Sequence, residues 1–419
     1  MNKKTRHAFR IGWFLAYRSL KRSSVWSTTL IIFVMVLTFL NIVVVSGILV
    51  GLIEGAVAGQ RGGYSGDVFL STLDEKKYIE NSTYIESLLQ NFPEVVAISP
   101  RYSEGGRIES NYKSKIRISD EGESAGVTIL GINPEREAAV TTLRDGIIEG
   151  QFIQENDFDQ IVVGANILKK YLDFEGPGLS TINAEVGDTV LISIGENVRR
   201  EVIIKGIIKT KVDQNDFSVY FPAKQLRQMI GRDDFNVDQF AIKLAQKTDP
   251  VLIKERLINL GVHQYADVQT YEDAQPKFLE DIKNTFALLG NAISSIGLVV
   301  ASITVFIVIF INAITRRKFI GILKGIGIDQ FAIEASYMIQ SFFYAVIGSI
   351  IGFVIVYAAL VPLVAAYPID FPFSDGILVA PLVGTLVKMF ILIVITVIAG
   401  YIPARMIVRK NTLDAILGR

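Results

Sequence analysis

The sequence predicts an α-helical membrane protein with four transmembrane helices and one large α+β domain inserted between the first two. Three observations predict this fold: four long uncharged runs, basic residues beside alternate ends of these runs, and strand signals throughout the long segment after the first run. Of the 419 residues, 50% are hydrophobic and only 20% are charged, and the mean hydropathy is +0.39. This composition is more apolar than that of a typical soluble protein.

Four uncharged runs divide the chain. Three of them, 25–53, 284–315 and 335–369, contain no Asp, Glu, Lys, Arg or His, and the fourth, 376–404, is interrupted only by Lys388. The hydrocarbon core of a bilayer is about 30 Å thick, and a helix needs about 20 residues to cross it. A soluble protein would have to bury four helices that are apolar on every side. We therefore expect four transmembrane helices.

The runs and the residues between them define nine predicted segments. They are, in order, an amphipathic cytoplasmic helix (1–24), the first transmembrane helix with its stalk (25–53), an extracytoplasmic α+β domain (54–280), a stalk with the second transmembrane helix (281–315), a cytoplasmic segment (316–334), the third transmembrane helix (335–361), an outer loop (362–380), the fourth transmembrane helix (381–404) and a cytoplasmic tail (405–419).

Basic residues indicate which side of the membrane each segment occupies. Lys and Arg are abundant before the first run, between the second and third runs and after the fourth, whereas acidic residues outnumber basic ones in 54–285. Since Lys and Arg concentrate in cytoplasmic loops, we expect a cell-membrane protein with both termini in the cytoplasm. Residues 56–58 (Ala-Val-Ala) resemble a signal-peptide cleavage site, but the run before them is longer than the apolar region of a signal peptide.

The inserted domain shows short strand and helix signals. Strand-like composition occurs at 68–70, 127–130, 189–194, 201–208 and 239–244. Helical signals occur at 83–91, 223–230 and 249–260. In the last of these, Asp249 is a plausible N-cap, Pro250 suits the first helical position, and Gly261 follows the end.

Glycine recurs at every fourth position near the outer end of the first run, at Gly47, Gly51, Gly55 and Gly59. This spacing places small residues on one helix face, where another helix backbone can approach closely. We expect Gly47, Gly51 and Gly55 to form a helix-packing or dimer contact, with flexibility after Gly59. A flexible exit along the whole stretch is the alternative. Residues 348 and 352 form a shorter version of the pattern.

The sequence contains little that could carry chemistry. It has no cysteine and only two histidines, His7 and His263, so disulfides, thiolate catalysis and histidine-based metal centres are excluded. The balance of 42 basic and 42 acidic residues argues against a nucleic-acid partner, and no Walker A phosphate-binding motif occurs. We predict no enzyme and no bound cofactor. Lys388 lies within a membrane run, which makes it a functional candidate. The alternative is that its side chain extends to the water at the outer surface and has no functional role.

Three stretches resemble a known family. Residues 312–327, NAITRRKFIGILKGIG, resemble the R-x-x-E-I-G-I-L-K-A-I-G signature of FtsX/MacB-like ABC transporter permeases, which are of type VII, the mechanotransmitting class. Residues 401–405 and 413–417 are similar to the family's closing P-A-R and P-x-E-A-L motifs. The chain departs from the family pattern at Phe319, Gln340 and Thr412, where Glu, an acid and Pro are usual.

The resemblance implies partners and a contact site. A separate ABC ATPase would bind ATP and Mg, and the permease would pair with an identical or a related chain. The segment 316–334 would be a coupling segment, and family members carry an amphipathic helix at the lipid surface. An extracytoplasmic accessory protein is compatible with this arrangement. The residues implied to contact the ATPase are Arg316, Arg317, Phe319, Ile320, Gly321, Ile322, Leu323, Lys324, Gly325 and Gly327.

We expect a lipoprotein-releasing or macrolide-efflux type permease that couples ATP hydrolysis to movement of its outer domain. Within 316–328, Ile320, Ile322, Leu323 and Ile326 would present one apolar surface to the ATPase. In the N-terminal helix, Phe9, Trp13, Ala16, Tyr17 and Leu20 would form one apolar face. Two alternatives remain open: a regulatory permease that activates an extracytoplasmic hydrolase, and a membrane receptor or adhesion protein without an ATPase.

Overall fold

The computed structural model describes residues 3–22, 25–112, 123–172, 180–195, 198–275, 277–367 and 378–409. The closing motif at 413–417 and Thr412 lie outside these residues. The chain divides into two compact units. The domain unit is Glu54–Glu280, and the membrane-helix unit contains the described residues up to Ile53 and from Asp281 onward.

Four helices are long and apolar enough to cross a membrane, as the sequence predicts. The first, M1, is helical from Val25 to Ser65 and includes two π-helical segments, Asn41–Val45 and Arg61–Ser65. The second, M2, is Lys277–Thr315. The third, M3, consists of Gln330–Ile355, the π-helical segment Val356–Leu360 and Val361–Ala366, and the fourth, M4, is Leu382–Val408. The membrane-helix unit also contains the N-terminal helix Lys3–Lys21 and the short helix Arg317–Gly325.

The prediction that flexibility begins after Gly59 is wrong. The helix continues to Ser65 because the domain unit supplies partners for its last carbonyl groups, which an α-helix leaves without intrahelical partners. The carbonyl of Gly62 accepts from the amide of Thr142 at 2.9 Å, and that of Gly63 accepts from Nδ2 of Asn215 at 3.0 Å. Gly62 and Gly63 therefore lie in the last turn of a helix and not in a flexible segment.

The domain unit is an α+β fold, as predicted, built on one mixed sheet. Its ten strands are β1 Val68–Ser71, β2 Val95–Glu109, β3 Ser124–Ile132, β4 Ile147–Gly150, β5 Gln160–Gly164, β6 Thr189–Ile194, β7 Val198–Ile208, β8 Ser218–Pro222, β9 Gln239–Leu244 and β10 Asp267–Thr270. The order is β10-β1-β9-β2-β3-β8-β5-β7-β4, and β6 pairs with β2 and β7. The pairs β3–β8 and β5–β7 are parallel.

Helices cover the sheet and complete its core. They are Ser82–Gln90, Pro134–Val140, Asp213–Asp216, Ala223–Met229 and Pro250–Asn259, with 3₁₀ turns at Leu143–Gly146, Ala165–Ile167 and Val262–Gln264. All three predicted helices are confirmed. Asp249 caps the last α-helix by accepting from the amide of Val251 at 2.9 Å, and Gly261 adopts the left-handed conformation with φ +83°.

All five predicted strands are confirmed, but β2, the longest strand, was not predicted. It contains Pro100, Gly105 and Gly106, which interrupt a strand pattern. The structure explains why glycine is present at position 106. A side chain at Gly106 would collide with Ile129 of β3, and its Cβ would lie 2.7 Å from the carbonyl oxygen of Ser193 in β6. Glycine therefore lets two neighbouring strands approach β2 at this point.

The two strands beside the membrane helices are hydrogen-bonded neighbours. β1 follows M1, β10 precedes M2, and they pair antiparallel with Val68 opposite Thr270. β10 is the terminal strand of the sheet order. Both chain connections of the domain unit therefore meet the sheet at the same edge.

Candidate functional site

The predicted coupling segment contains a short helix between M2 and M3. M2 ends at Thr315, the short helix is Arg317–Gly325, and Gly327 makes the turn with φ +90°. Asp329 then caps M3 by accepting from the amide of Phe331 at 2.9 Å. M3 begins at Gln330, earlier than the predicted residue 335, because this cap starts the helix before the charged residue Glu334.

The apolar side chains of the short helix lie on two faces. Ile320 is 3% exposed and packs in the core of the membrane-helix unit, with Leu323 against the same core. Phe319, Ile322 and Ile326 are 56%, 52% and 70% exposed. The prediction of one shared apolar surface is therefore wrong, since helical spacing places positions three and four apart together and separates 320 and 323 from 319, 322 and 326.

Two of the predicted contact residues hold the short helix to neighbouring helices. Nζ of Lys324 donates to the carbonyl of Val408 at the end of M4, at 2.9 Å, where a cation favourably meets the helix dipole. Nη1 of Arg316 donates to Oγ of Ser19 at 2.7 Å. Gly321 is buried, Arg317 is half-buried, and Gly325 and Gly327 are exposed.

Gln340 joins the same network from M3. Its Oε1 accepts from Oγ of Ser19 at 3.4 Å, and its Nε2 donates to the carbonyl of Ser336 at 3.1 Å. The side chain is 3% exposed. Arg316, Ser19 and Gln340 therefore link three helices, an arrangement that the sequence does not signal.

The N-terminal helix packs by its small residues. Ala8 and Ala16 are 4% and 0% exposed, and a Cβ at Gly12 would lie 2.9 Å from the carbonyl oxygen of Ala332 in M3. Ala8, Gly12 and Ala16 are four residues apart and share one helix face, so the N-terminal helix can lie close to M3. Ala16 therefore belongs to the packed face and not to the predicted aromatic face. The aromatic residues of that face, Phe9, Trp13 and Tyr17, are about half exposed, at 49%, 50% and 62%.

The glycines near the outer end of M1 have different surroundings. The carbonyl of Gly47 accepts from the amide of Val379 at 3.2 Å, so this glycine contacts its own chain. Gly51 is buried and Gly55 is half-buried. The role of these residues in a dimer stays a prediction.

The shorter glycine pattern forms the tight contact between M1 and M3. A side chain at Gly348 would collide with Met35, and a Cβ at Gly352 would lie 3.1 Å from Cγ of Phe39. Both partners are in M1 and are buried. The two glycines therefore let M3 lie close against M1.

The domain end of M1 is held by a buried ion pair. Nη2 of Arg101 lies 2.7 Å from Oε1 of Glu137, and the two side chains are 2% and 1% exposed. Nη2 also donates to the carbonyl of Tyr64 at 2.7 Å. The carbonyls of Gly62, Gly63 and Tyr64 therefore each accept from a different part of the domain. Sequence reasoning missed this cluster.

The surroundings of the Glu137 carboxyl favour its ionised form. Burial acts to raise the pKa of the Glu137 carboxyl, but the charge of Arg101 and hydrogen bonds from Arg101, Thr141 and Ser99 outweigh it and hold the pKa below its usual value. Asp216, the residue after Asn215, behaves differently. Burial raises the pKa of Asp216 to about 6 against weaker lowering by hydrogen bonds from Thr210.

Within the described residues, no group of three or more His, Cys, Asp or Glu side chains could hold a metal ion. Two features of the described residues stand out: the exposed apolar row of the short helix, and the end of M1, whose carbonyl groups accept hydrogen bonds from the domain.

Comparisons with known proteins agree with the sequence resemblance. Residues 291–412 match the family model described as FtsX-like permease C-terminal. An uncharacterized ABC transporter permease, MJ1507 of Methanocaldococcus jannaschii, is 24% identical over 278 residues, 65% of this chain and 65% of the relative. The macrolide export ATP-binding/permease protein MacB of Haemophilus ducreyi is 23% identical over 223 residues, 51% of this chain and 31% of MacB.

Two further comparisons extend the set. The uncharacterized ABC transporter permease YknZ of Bacillus subtilis is 25% identical over 312 residues, 70% of each chain. The crystal structure of the periplasmic region of MacB from Actinobacillus actinomycetemcomitans aligns with a TM-score of 0.35 and 13% identity, covering 52% of this chain and 94% of that region.

The first two relatives are longer than the part that matches. The matched part spans 65% of MJ1507 and about a third of MacB, at 31%. The family model and two of the relatives, MJ1507 and YknZ, are all described as permeases. Residues 291–412 therefore match an FtsX-like permease domain, and the chain is similar to ABC transporter permeases and to MacB.

Proposed function

We propose that the chain is the membrane subunit of an ABC transporter and couples ATP hydrolysis by a separate ATPase to movement of the domain unit. The observation that carries the proposal is the exposed apolar row Phe319, Ile322 and Ile326 on a helix that is otherwise fastened to its neighbours. Exposed large apolar residues of this kind, grouped on one face, are typical of a protein-binding surface.

Force applied at this row would reach several membrane helices together. Ile320 and Leu323 pack in the core of the membrane-helix unit, and Lys324 and Arg316 bond to M4 and the N-terminal helix. A push on the short helix would therefore move M3, M4 and the N-terminal helix as one group.

The domain unit is suited to receive movement from M1. The last carbonyls of the helix are held by Thr142, Asn215 and Arg101, and β1 follows directly and pairs with β10. A displacement of the helix end would act on the sheet at the edge where both connections enter.

We place the domain unit outside the cell and the short helix in the cytoplasm, following the distribution of Lys and Arg. The ATPase would bind ATP and Mg, and two copies, or this chain and a related one, would form the permease. The membrane runs contain a single charged residue, Lys388, so a polar path through the membrane is poorly supported. Export or extraction of a substrate at the outer side follows as the function.

Co-purification with the ATPase tests the proposal. Ile322→Asp places a charge in the exposed row, and an unpaired charge buried in an apolar contact is costly. We expect ATPase pull-down and permease-dependent ATP hydrolysis to fall about tenfold or more. Val251→Asp is the matched control, since Val251 is 51% exposed in the domain unit, and it should leave both unchanged.

Membrane insertion of both variants should equal that of the wild type, because neither residue lies in a membrane run. Pull-down and hydrolysis at wild-type levels in Ile322→Asp would refute the coupling role of the short helix.

A further inference from the structure

A groove of about 310 Å³ runs between M2 and M4 in the membrane-helix unit. Its lining is almost entirely apolar. The side chains that form it include Ser302, Ile303 and Phe306 of M2 and Ile395, Ile398 and Ile402 of M4. In volume and polarity, such a groove suits one hydrocarbon chain or one apolar helix face.

Lys388 precedes the groove residues along M4. Lys388, Ile395 and Ile402 are each seven residues apart, which is about two helical turns, so they share one face of M4 at intervals of about 10 Å. Lys388 is six residues after the first residue of M4, Leu382. The charge therefore lies towards the end of M4 that first enters the membrane, and the apolar groove follows it.

The ammonium group of Lys388 is incompletely compensated. Its one hydrogen-bond partner among the described residues is Oγ of Ser46 in M1, and this hydroxyl is itself bonded to the carbonyl of Ile42 at 2.8 Å. Lysine carries three donors and a full charge. A half-buried ammonium in an apolar segment that has only a neutral hydroxyl as its partner needs a counter-charge.

We propose that the groove and Lys388 together bind a phospholipid with an anionic headgroup. The headgroup phosphate meets the ammonium of Lys388, and the end of one acyl chain enters the groove at Ile395, against Ile303 and Phe306. Ile395 lies about 20 Å along M4 from Leu382, so the end of an acyl chain from the leaflet that M4 enters first reaches the near end of the groove. In the orientation proposed above, this is the outer leaflet.

Charge complementarity favours a lipid over a second copy of the chain. The four membrane runs, 25–53, 284–315, 335–369 and 376–404, contain no Asp or Glu. A membrane helix of a second copy could fill the apolar groove but could not neutralise Lys388. A phosphate on a hydrocarbon chain does both.

Native mass spectrometry of the detergent-purified protein tests this assignment. Phosphatidylglycerol and phosphatidylcholine with identical acyl chains are titrated separately. We expect the wild type to bind phosphatidylglycerol about tenfold more tightly, because its phosphate charge is not offset by a choline cation, as it is in phosphatidylcholine. Lys388→Met should abolish this preference, whereas Lys243→Met, which removes an exposed lysine of the domain unit, should retain it.

A second pair of variants tests the groove. Ile398→Trp fills it and should weaken binding of both lipids about tenfold, whereas Ile307→Trp, at a position of similar exposure outside the lining (48% against 54%), should not. An unchanged headgroup preference in Lys388→Met would overturn the proposal. So would a shift of Ile398→Trp from dimer to monomer with lipid binding intact, because a second copy would then occupy the groove.

Discussion

The guanidinium of Arg101 and the carboxylate of Glu137 form an ion pair, 2.7 Å from Nη2 to Oε1, in the interior of the domain unit. Arg101 also donates to the carbonyl of Tyr64, in the last turn of M1. Ser99 and Thr141 donate to the same carboxylate at 2.7 Å each. The pair therefore connects strand β2, the helix Pro134–Val140 and the end of M1.

Removing one partner of this pair should be strongly destabilising. Glu137→Gln leaves the Arg101 charge buried without a counter-charge, and we expect a loss of about 3 to 5 kcal/mol in unfolding free energy of the domain unit. The double variant Arg101→Met with Glu137→Leu should lose much less, because no charge remains buried. Hydrogen exchange of peptides from β2 measures both. Equal protection in wild type and Glu137→Gln would contradict the prediction.

The sequence predicted the fold well where the pattern is local. β6 and β9 have the bounds that the alternation of Thr189–Ile194 and Gln239–Leu244 indicates. β2 escaped prediction because Pro100 and the pair at 105–106 break its pattern, and only the neighbouring strands show why glycine is needed.

The candidate site was predictable in part, for a physical reason. The segment 316–328 identifies a short amphipathic element, but its sequence does not say which side the neighbouring helices cover. Packing of Ile320 against the membrane-unit core decides this. Arg101 and Glu137 are 36 residues apart in sequence, so no local pattern pairs them.

The proposed orientation predicts which cysteines an impermeant reagent reaches in intact cells. The chain has no native cysteine, so single replacements report one position each. Glu155→Cys, exposed in the domain unit, should be labelled, and Lys318→Cys, exposed in the short helix, should be labelled only after permeabilisation. Labelling of Lys318→Cys but not Glu155→Cys in intact cells would reverse the orientation.

Close contact between M1 and M3 predicts the effect of a single methyl group. Gly352→Ala places a Cβ 2.5 Å from Cδ1 of Phe39, and overpacking of this kind costs about 1 to 3 kcal/mol. We expect a lower thermal unfolding temperature in detergent. Gly325→Ala, where a Cβ meets nothing within 4 Å, is the control and should unfold as the wild type does.

The glycine row near the outer end of M1 carries a separate prediction about assembly. If Gly55 forms a close contact with another helix, Gly55→Leu should reduce the fraction of two-copy permease in cross-linking, through steric exclusion. Gly62→Leu is the control, since a Cβ at Gly62 meets nothing within 4 Å. Normal assembly and activity of both Gly51→Leu and Gly55→Leu would show that these glycines do not mediate assembly.

The buried carboxyl of Asp216 predicts a pH dependence. Its side chain is 4% exposed and accepts from the amide of Thr210 at 2.7 Å and its hydroxyl at 3.0 Å. Burial raises its pKa from 3.8 to about 6, with Asp213 adding to the rise and Lys209 opposing it.

The folded state therefore holds the proton of Asp216 more tightly than the unfolded state. Its contribution to stability is complete below about pH 4 and is lost as the pH rises through about 6. Asp216→Asn keeps a carbonyl acceptor for Thr210 and removes the titration. Relative to wild type, this variant should gain about 2 to 3 kcal/mol between pH 4 and pH 7. Calorimetric unfolding of the full chain at several pH values measures the difference, and a difference that does not change with pH would show that Asp216 titrates normally.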